Sequence, residues 1–111
     1  AGAGLAGAPK LLLIMLVRNE EANLAHVLPL WSSNIDFWVI GVDSNTTDSS
    51  VPTIMEKLAK VPGRVVPVTF GSSFGALWTY LAAKGNDLYP EATHSILTHS
   101  DYVPVHTPPS S

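Results

Sequence analysis

The residues of this chain best placed to do chemistry stand where apolar runs end. Asp43-Ser44-Asn45-Thr46-Thr47-Asp48-Ser49-Ser50 follows Phe37-Trp38-Val39-Ile40-Gly41-Val42, and His99-Ser100-Asp101 follows Ser95-Ile96-Leu97-Thr98. An acid at the last position of a buried strand loses solvation unless something pairs with it. In open α/β sheets, ligands bind outside the carboxyl ends of the strands. A nucleotide or metal site is therefore the chemistry to expect. The competing readings of the first segment are an exposed strand-end Asp43 and an Asp48 or Ser50 that simply caps the helix after it. His99 and Asp101, two residues apart, project to the same side of an extended backbone and form a pair of potential metal ligands. A solvated loop is the competing reading there.

Other chemical patterns fall away on context. Gly2, Gly4 and Gly7 match Gly-x-Gly-x-x-Gly, but a dinucleotide fingerprint needs a strand before it and a helix after it. Here Pro9 and then a strand follow, so the segment reads as linker. Asp43 to Asp48 resembles the start of a calcium loop, yet the sixth and twelfth positions hold Asp48 and Ile54 instead of Gly and Glu. Asn45-Thr46-Thr47 is a formal N-glycosylation acceptor whose glycan would obstruct the crevice. His26, His94 and His106 add no ligand spacing, and His26 reads as helix surface.

These residues need strands and helices to hold them. Lys10 to Val17 reads as a fully buried strand, with seven consecutive apolar residues from Leu11 and no alternation. Asn19 can cap the helix that follows, and Glu20 and Glu21 suit its first turn. Leu24, Val27, Leu28 and Trp31 share one helical face, with Pro29 expected to kink or end the helix early. Phe37 to Val42 is a second strand. Val51, Ile54, Met55 and Leu58 have the spacing of a second amphipathic helix, with Pro52 in its first turn. Arg64 to Phe70 is a third strand, at an edge or bulged because of Pro67. Phe74, Leu77, Trp78 and Leu81 line a third helix that Gly85 should stop. Ser95 to Thr98 is a short fourth strand. Alternation of this kind predicts an α/β fold, a mostly parallel sheet of about four strands with right-handed crossovers. Arg18 and Asn19, Asp43, Ser72 and Ser73, then His99 and Asp101 would meet at one edge.

The bulk numbers agree. At 111 residues the chain is one domain or part of one, and 46% hydrophobic residues with a mean hydropathy of +0.23 suffice for a packed core. A net charge of −3 with six Lys plus Arg argues against a nucleic-acid surface. With no Cys, disulfides, thiolate metal sites and a cysteine nucleophile are excluded. No apolar run approaches the ~20 residues of a membrane span. Arg18-Asn19-Glu20-Glu21 stands where a signal peptide would need small residues. Residues 1–9 and 107–111 read as linker or tail, which with the missing initiator suggests a processed chain or a fragment. Nothing fixes the compartment.

Taken together, the segments resemble the first half of a family 2 glycosyltransferase, the inverting type with a GT-A fold. Leu16-Val17-Arg18-Asn19-Glu20-Glu21 is similar to that family's hydrophobic-x-(Lys/Arg)-Asn-Glu-Glu signature. Val42 to Ser50 is similar to its Val-Asp-x-Gly-Ser-Thr-Asp-x-Thr segment. Phe70-Gly71-Ser72-Ser73-Phe74-Gly75-Ala76 parallels its Phe/Trp-x-x-(Asp/Asn)-Phe-(Ala/Gly)-x stretch. Ile96 to Asp101 falls where the family carries Asp-Ala-Asp. The order and spacing hold over about Lys10 to Pro104.

The resemblance implies a partial Rossmann-like GT-A domain at 10–106 that binds a nucleotide-sugar donor, a UDP-sugar being favoured. Asp43 would accept a hydrogen bond from the uracil or ribose, Val17 and Asn19 would line the base pocket, and Glu20, Asn45 and Asp48 would complete the donor site. Asp101, with His99, would hold Mg²⁺ or Mn²⁺ on the diphosphate. Three positions depart from the pattern: His99 replaces the first metal-motif Asp, Asn45 replaces a Gly but tolerates a left-handed turn, and Trp78 replaces an Arg. In the family the catalytic base and acceptor site lie beyond the metal motif, so this chain alone should not catalyse transfer. The rival from another class is a noncatalytic α/β binding or interaction module, which His99 and Trp78 favour. A sheet lacking its second half would expose apolar surface and invite self-association.

Overall fold

The computed structural model describes residues 9–71 and 74–99. The Gly2-Gly4-Gly7 linker, Ser72, Ser73, Asp101, His106 and the tail expected at 107–111 lie outside them. Four strands, β1 (Leu11–Val17), β2 (Phe37–Asp43), β3 (Gly63–Val68) and β4 (His94–His99), alternate with α1 (Glu21–Ser32), α2 (Ser50–Lys57) and α3 (Phe74–Leu88). The sheet runs β3-β2-β1-β4 and every pairing is parallel. This is an α/β fold consistent with a partial Rossmann-like domain.

Position in the sheet explains the strand sequences. β1 and β2 are central and nearly all buried, which suits their unbroken apolar runs. β3 and β4 are edges with mixed burial, and Pro67 lies on the edge strand β3, where its missing N–H disturbs no central ladder. The chain steps from β1 to β2 to β3 in one direction, then returns past β1 to β4. With right-handed crossovers, α1 and α2 cover one face and α3 the other. One core joins Leu13, Met15 and Val17 to Leu24, Leu28, Trp31, Ile54 and Leu58; the other joins Leu12, Ile14 and Leu16 to Val66, Val68 and Leu81.

Four local expectations are corrected. α1 does not end at Pro29 but runs on to Ser32, because burial of Trp31 and the bonds from Ser32 Oγ to the Pro29 carbonyl and Asn34 Nδ2 to the Leu30 carbonyl hold its last turn. Ser50 and Ile54 of α2 and Leu58 just after it are buried, a stripe spaced by four, while Val51 and Met55 on the next flank of the helix stay exposed. α3 continues through Gly85 to Leu88. Gly85 serves packing: a Cβ there would lie 2.5 Å from Leu12 Cδ2, so the missing side chain lets the helix sit down on β1. The left-handed conformation that Asn45 could tolerate is adopted instead by Asn19, with φ 51°, the only non-glycine with positive φ among the described residues.

Candidate functional site

The return from β3 across to β4 makes the carboxyl ends of β1 and β4 the switch point of the sheet, where a crevice opens in folds of this kind. Arg18 follows β1 directly and so lies between Asp43, which ends β2, and His99, which ends β4. Leu16 pairs with both Gly41 and His99, and Asp43 is two residues beyond Gly41. Strand spacing of about 4.8 Å and a rise of about 3.3 Å per residue put the Cα atoms of Asp43 and His99 about 12 Å apart. In-register parallel neighbours share a face, so both side chains belong to the α3 side. The His99 ring accordingly meets Trp78 of α3 edge-on, at 5.8 Å between centroids.

Asp43 is only 1% exposed. Oδ1 accepts from the backbone N–H of Phe70 at 3.3 Å and, at 3.4 Å, from that of Asn45. Oδ2 lies 3.2 Å from Arg18 Nε in an ion pair, but the angles complete no hydrogen bond and the atom has no other partner. The distance gives the electrostatics, while the missing alignment shows that Oδ2 keeps an open acceptor. Thr46 Oγ1 is likewise buried without a hydrogen-bond partner, and Thr46 N–H closes the turn onto the Asp43 carbonyl at 2.9 Å. A depression of about 240 Å³ borders this turn, floored by Val42, Val65 and Pro67 and flanked by Val51. On the α3 side Phe70 meets Phe74 edge-on at 5.3 Å, with Phe74 half exposed.

The remaining acids of this edge knit two loops together. Asn19 does not cap α1; its Oδ1 reaches across to accept from the Thr47 N–H at 2.8 Å and the Asp48 N–H at 3.3 Å. Asp48 Oδ1 accepts from the Ser50 hydroxyl at 2.6 Å and the Ser50 N–H at 3.0 Å, while Oδ2 accepts from the Glu21 N–H at 3.1 Å. Glu21 returns the favour through Oε1 to the Ser49 N–H, and Ser50 Oγ accepts from the Glu20 N–H. The Ser50 hydroxyl holds the Asp48 carboxyl below its ordinary range, desolvation opposes it, and backbone N–H groups lower it further. A broader depression of about 450 Å³ covers the first turn of α1, between Asn19, Glu20, Glu21 and Asp48. Its acids and lack of a basic residue make it unsuited to phosphates.

The structure thus brings Asp43, Asn45 and Arg18 together and ties Asn19, Glu20 and Asp48 into the adjoining loop pair. Val17 is fully buried in the core on the α1 side, the face opposite Asp43 and His99, and lines neither of these depressions. Arg18 and Thr46 were not singled out by sequence reasoning as site residues. The signals for Arg18 were its place as the first residue after a buried strand and its match to the Lys/Arg of the family signature. Among the described residues, no group of three or more His, Asp or Glu side chains comes together to hold a metal ion, and Asp101 lies outside them. The described residues by themselves do not fit a divalent cation.

No family model matches the chain, and no curated protein does. Among solved structures, the chain is similar to core-mannan synthase A from Aspergillus fumigatus in its Mn/GDP form, with 24% identity and a TM-score of 0.41. That similarity covers 56% of this chain and 18% of that protein's chain.

Proposed function

We propose that this chain binds a nucleoside-diphosphate sugar, as the donor-binding half, residues 10–106, of an inverting family 2 glycosyltransferase with a GT-A fold. The observation that carries the reading is the buried Asp43 carboxylate with an open acceptor at Oδ2 beside the switch point. A carboxylate is acceptor-only and matches the imide N–H of uracil or a ribose hydroxyl. The distance of about 12 Å from Asp43 to His99 suits a ligand with its nucleoside at one end and its diphosphate at the other. Asn45 and Asn19 border the base, and Glu20 and Asp48 hold the surrounding loops in shape. In the longer enzyme His99 and Asp101 present the diphosphate to Mg²⁺ or Mn²⁺, and the acceptor hydroxyl and its base come from beyond this chain.

Titration calorimetry with uridine 5′-diphosphate, with and without Mn²⁺, tests this. Binding should be lost in Asp43→Ala and should lose its metal dependence in Asp101→Ala, while His99→Asp, a harder ligand, should strengthen it. The second reading, a noncatalytic interaction module, rests on Trp78 packing against His99 and on the lack of a three-ligand group among the described residues. It wins if neither nucleotide nor metal binds the intact chain.

A further inference from the structure

The chain contains six Lys plus Arg. Lys10 precedes β1, Arg64 opens β3, Lys57 ends α2, Lys60 lies in the turn after it, and Lys84 is in the second half of α3. Strand starts and helix ends lie at the amino edge of a parallel α/β sheet, so all five sit away from the crevice. Arg18 is the one Lys or Arg at the carboxyl edge, among Glu20, Glu21, Asp43 and Asp48. An incoming diphosphate meets a net negative rim there, and Arg18 is the guanidinium that can offset it.

Yet Arg18 is committed to Asp43. The commitment is loose: its side chain is 55% exposed, Nε stands 3.2 Å from Oδ2, and no hydrogen bond is completed. Only the Arg18 side of the pair faces solvent, while Asp43 is buried, so the guanidinium can leave only where another donor takes its place. Oδ2 is itself sealed from solvent, so a ligand N–H can reach it only if the groups over it move. Arg18, whose side chain is 55% exposed and which follows β1 directly, is the neighbour with room to leave.

We propose that Arg18 is a displaceable counter-ion, neutralising Asp43 before a ligand binds and passing to the ligand's phosphates when the base or ribose takes over Oδ2. This rests on the nucleotide reading above and adds to it a coupling between the two ends of the ligand. The nucleoside end uncovers the cation that the phosphate end needs, so a free phosphate and a free nucleoside each bind poorly. Arg18 acts as a positioning residue for Asp43 before binding and as a phosphate contact after it.

The test compares uridine with uridine 5′-diphosphate, and guanosine with guanosine 5′-diphosphate, on the intact chain with and without Mn²⁺. In Arg18→Gln the diphosphate should bind on the order of tenfold more weakly, because a charge-assisted contact is lost. The nucleoside should bind as well as before or better, since it no longer has to displace the guanidinium from beside Oδ2. Arg18→Lys, which keeps the charge, should retain most of the diphosphate affinity. A parallel fall for nucleoside and diphosphate, or no change in either, overturns the displacement. Absence of binding to any of the four by the unsubstituted chain overturns it together with the nucleotide reading. If Arg18→Gln does not fold, the Arg18 Nε–H resonance of the unsubstituted chain decides. It should move when the diphosphate is added, and a resonance unmoved by saturating diphosphate overturns the proposal.

Discussion

Asp48 gathers three hydrogen bonds on one carboxylate and thereby joins the loop after β1 to the loop after β2. Its pKa is lowered in the folded chain, so folding binds fewer protons at this group than the unfolded chain does. The stability it supplies is present above the ordinary Asp value of about 3.9 and is lost as pH falls through the lower folded value. Thermal unfolding followed from about pH 6 to about pH 3 should show a falling Tm, and Asp48→Asn should flatten that fall. An identical acid slope in the two chains would remove Asp48 as the clamp. The clustering of Asp43, Asp48 and Asn19 at strand ends was legible, because run boundaries locate a strand's carboxyl end. Their partners were not. Asn19 bonds to Thr47 across 28 residues, and local spacing carries no record of which loop will lie beside which.

The strands and the buried face of α1 were legible for a related reason: an unbroken apolar run or a spacing of three and four leaves one solution once a sheet must be covered. Glycines were the failure, since the same residue type can end a helix or admit a neighbour. Gly85 admits Leu12. Gly63 admits more, for it faces Trp38 across the β2–β3 pair, and a Cβ there would lie 2.0 Å from the indole ring. That ring is fixed by its Nε1–H donating to the Val61 carbonyl at 2.8 Å and is almost wholly buried. Gly63→Ala should therefore cost about 3 kcal/mol in urea unfolding, combining overpacking with a broken buried hydrogen bond. Gly71→Ala, with nothing within 4 Å of the new Cβ and no positive φ, should change stability by less than about 0.5 kcal/mol. Comparable losses in both variants would show that backbone freedom, not the Trp38 contact, governs these sites.

Across the whole molecule, apolar surface is distributed unevenly. Leu97 on the edge strand β4 is 50% exposed, and the outer side of β4 pairs with no strand among the described residues. A free, apolar edge is a template for a second copy of the chain. Light scattering should show an average mass that rises with concentration, and Leu97→Lys should hold it near the monomer, since charge on an edge strand blunts pairing. A concentration-independent monomer for the unsubstituted chain would count against this. The strand order has a consequence for the chain as it is made. Residues 11–68 can form β1, β2 and β3 as they leave the ribosome, each strand pairing with its predecessor. The other side of β1 waits for β4, whose first residue pairs with Leu11 across 83 residues. During the synthesis of those intervening residues the most apolar strand of the protein is itself an edge, a window in which a nascent chain is most open to chaperones and to misassembly. The edge at β1 and β4 is finished last, so a ligand of the proposed kind could meet it only in chains that have already passed through that window.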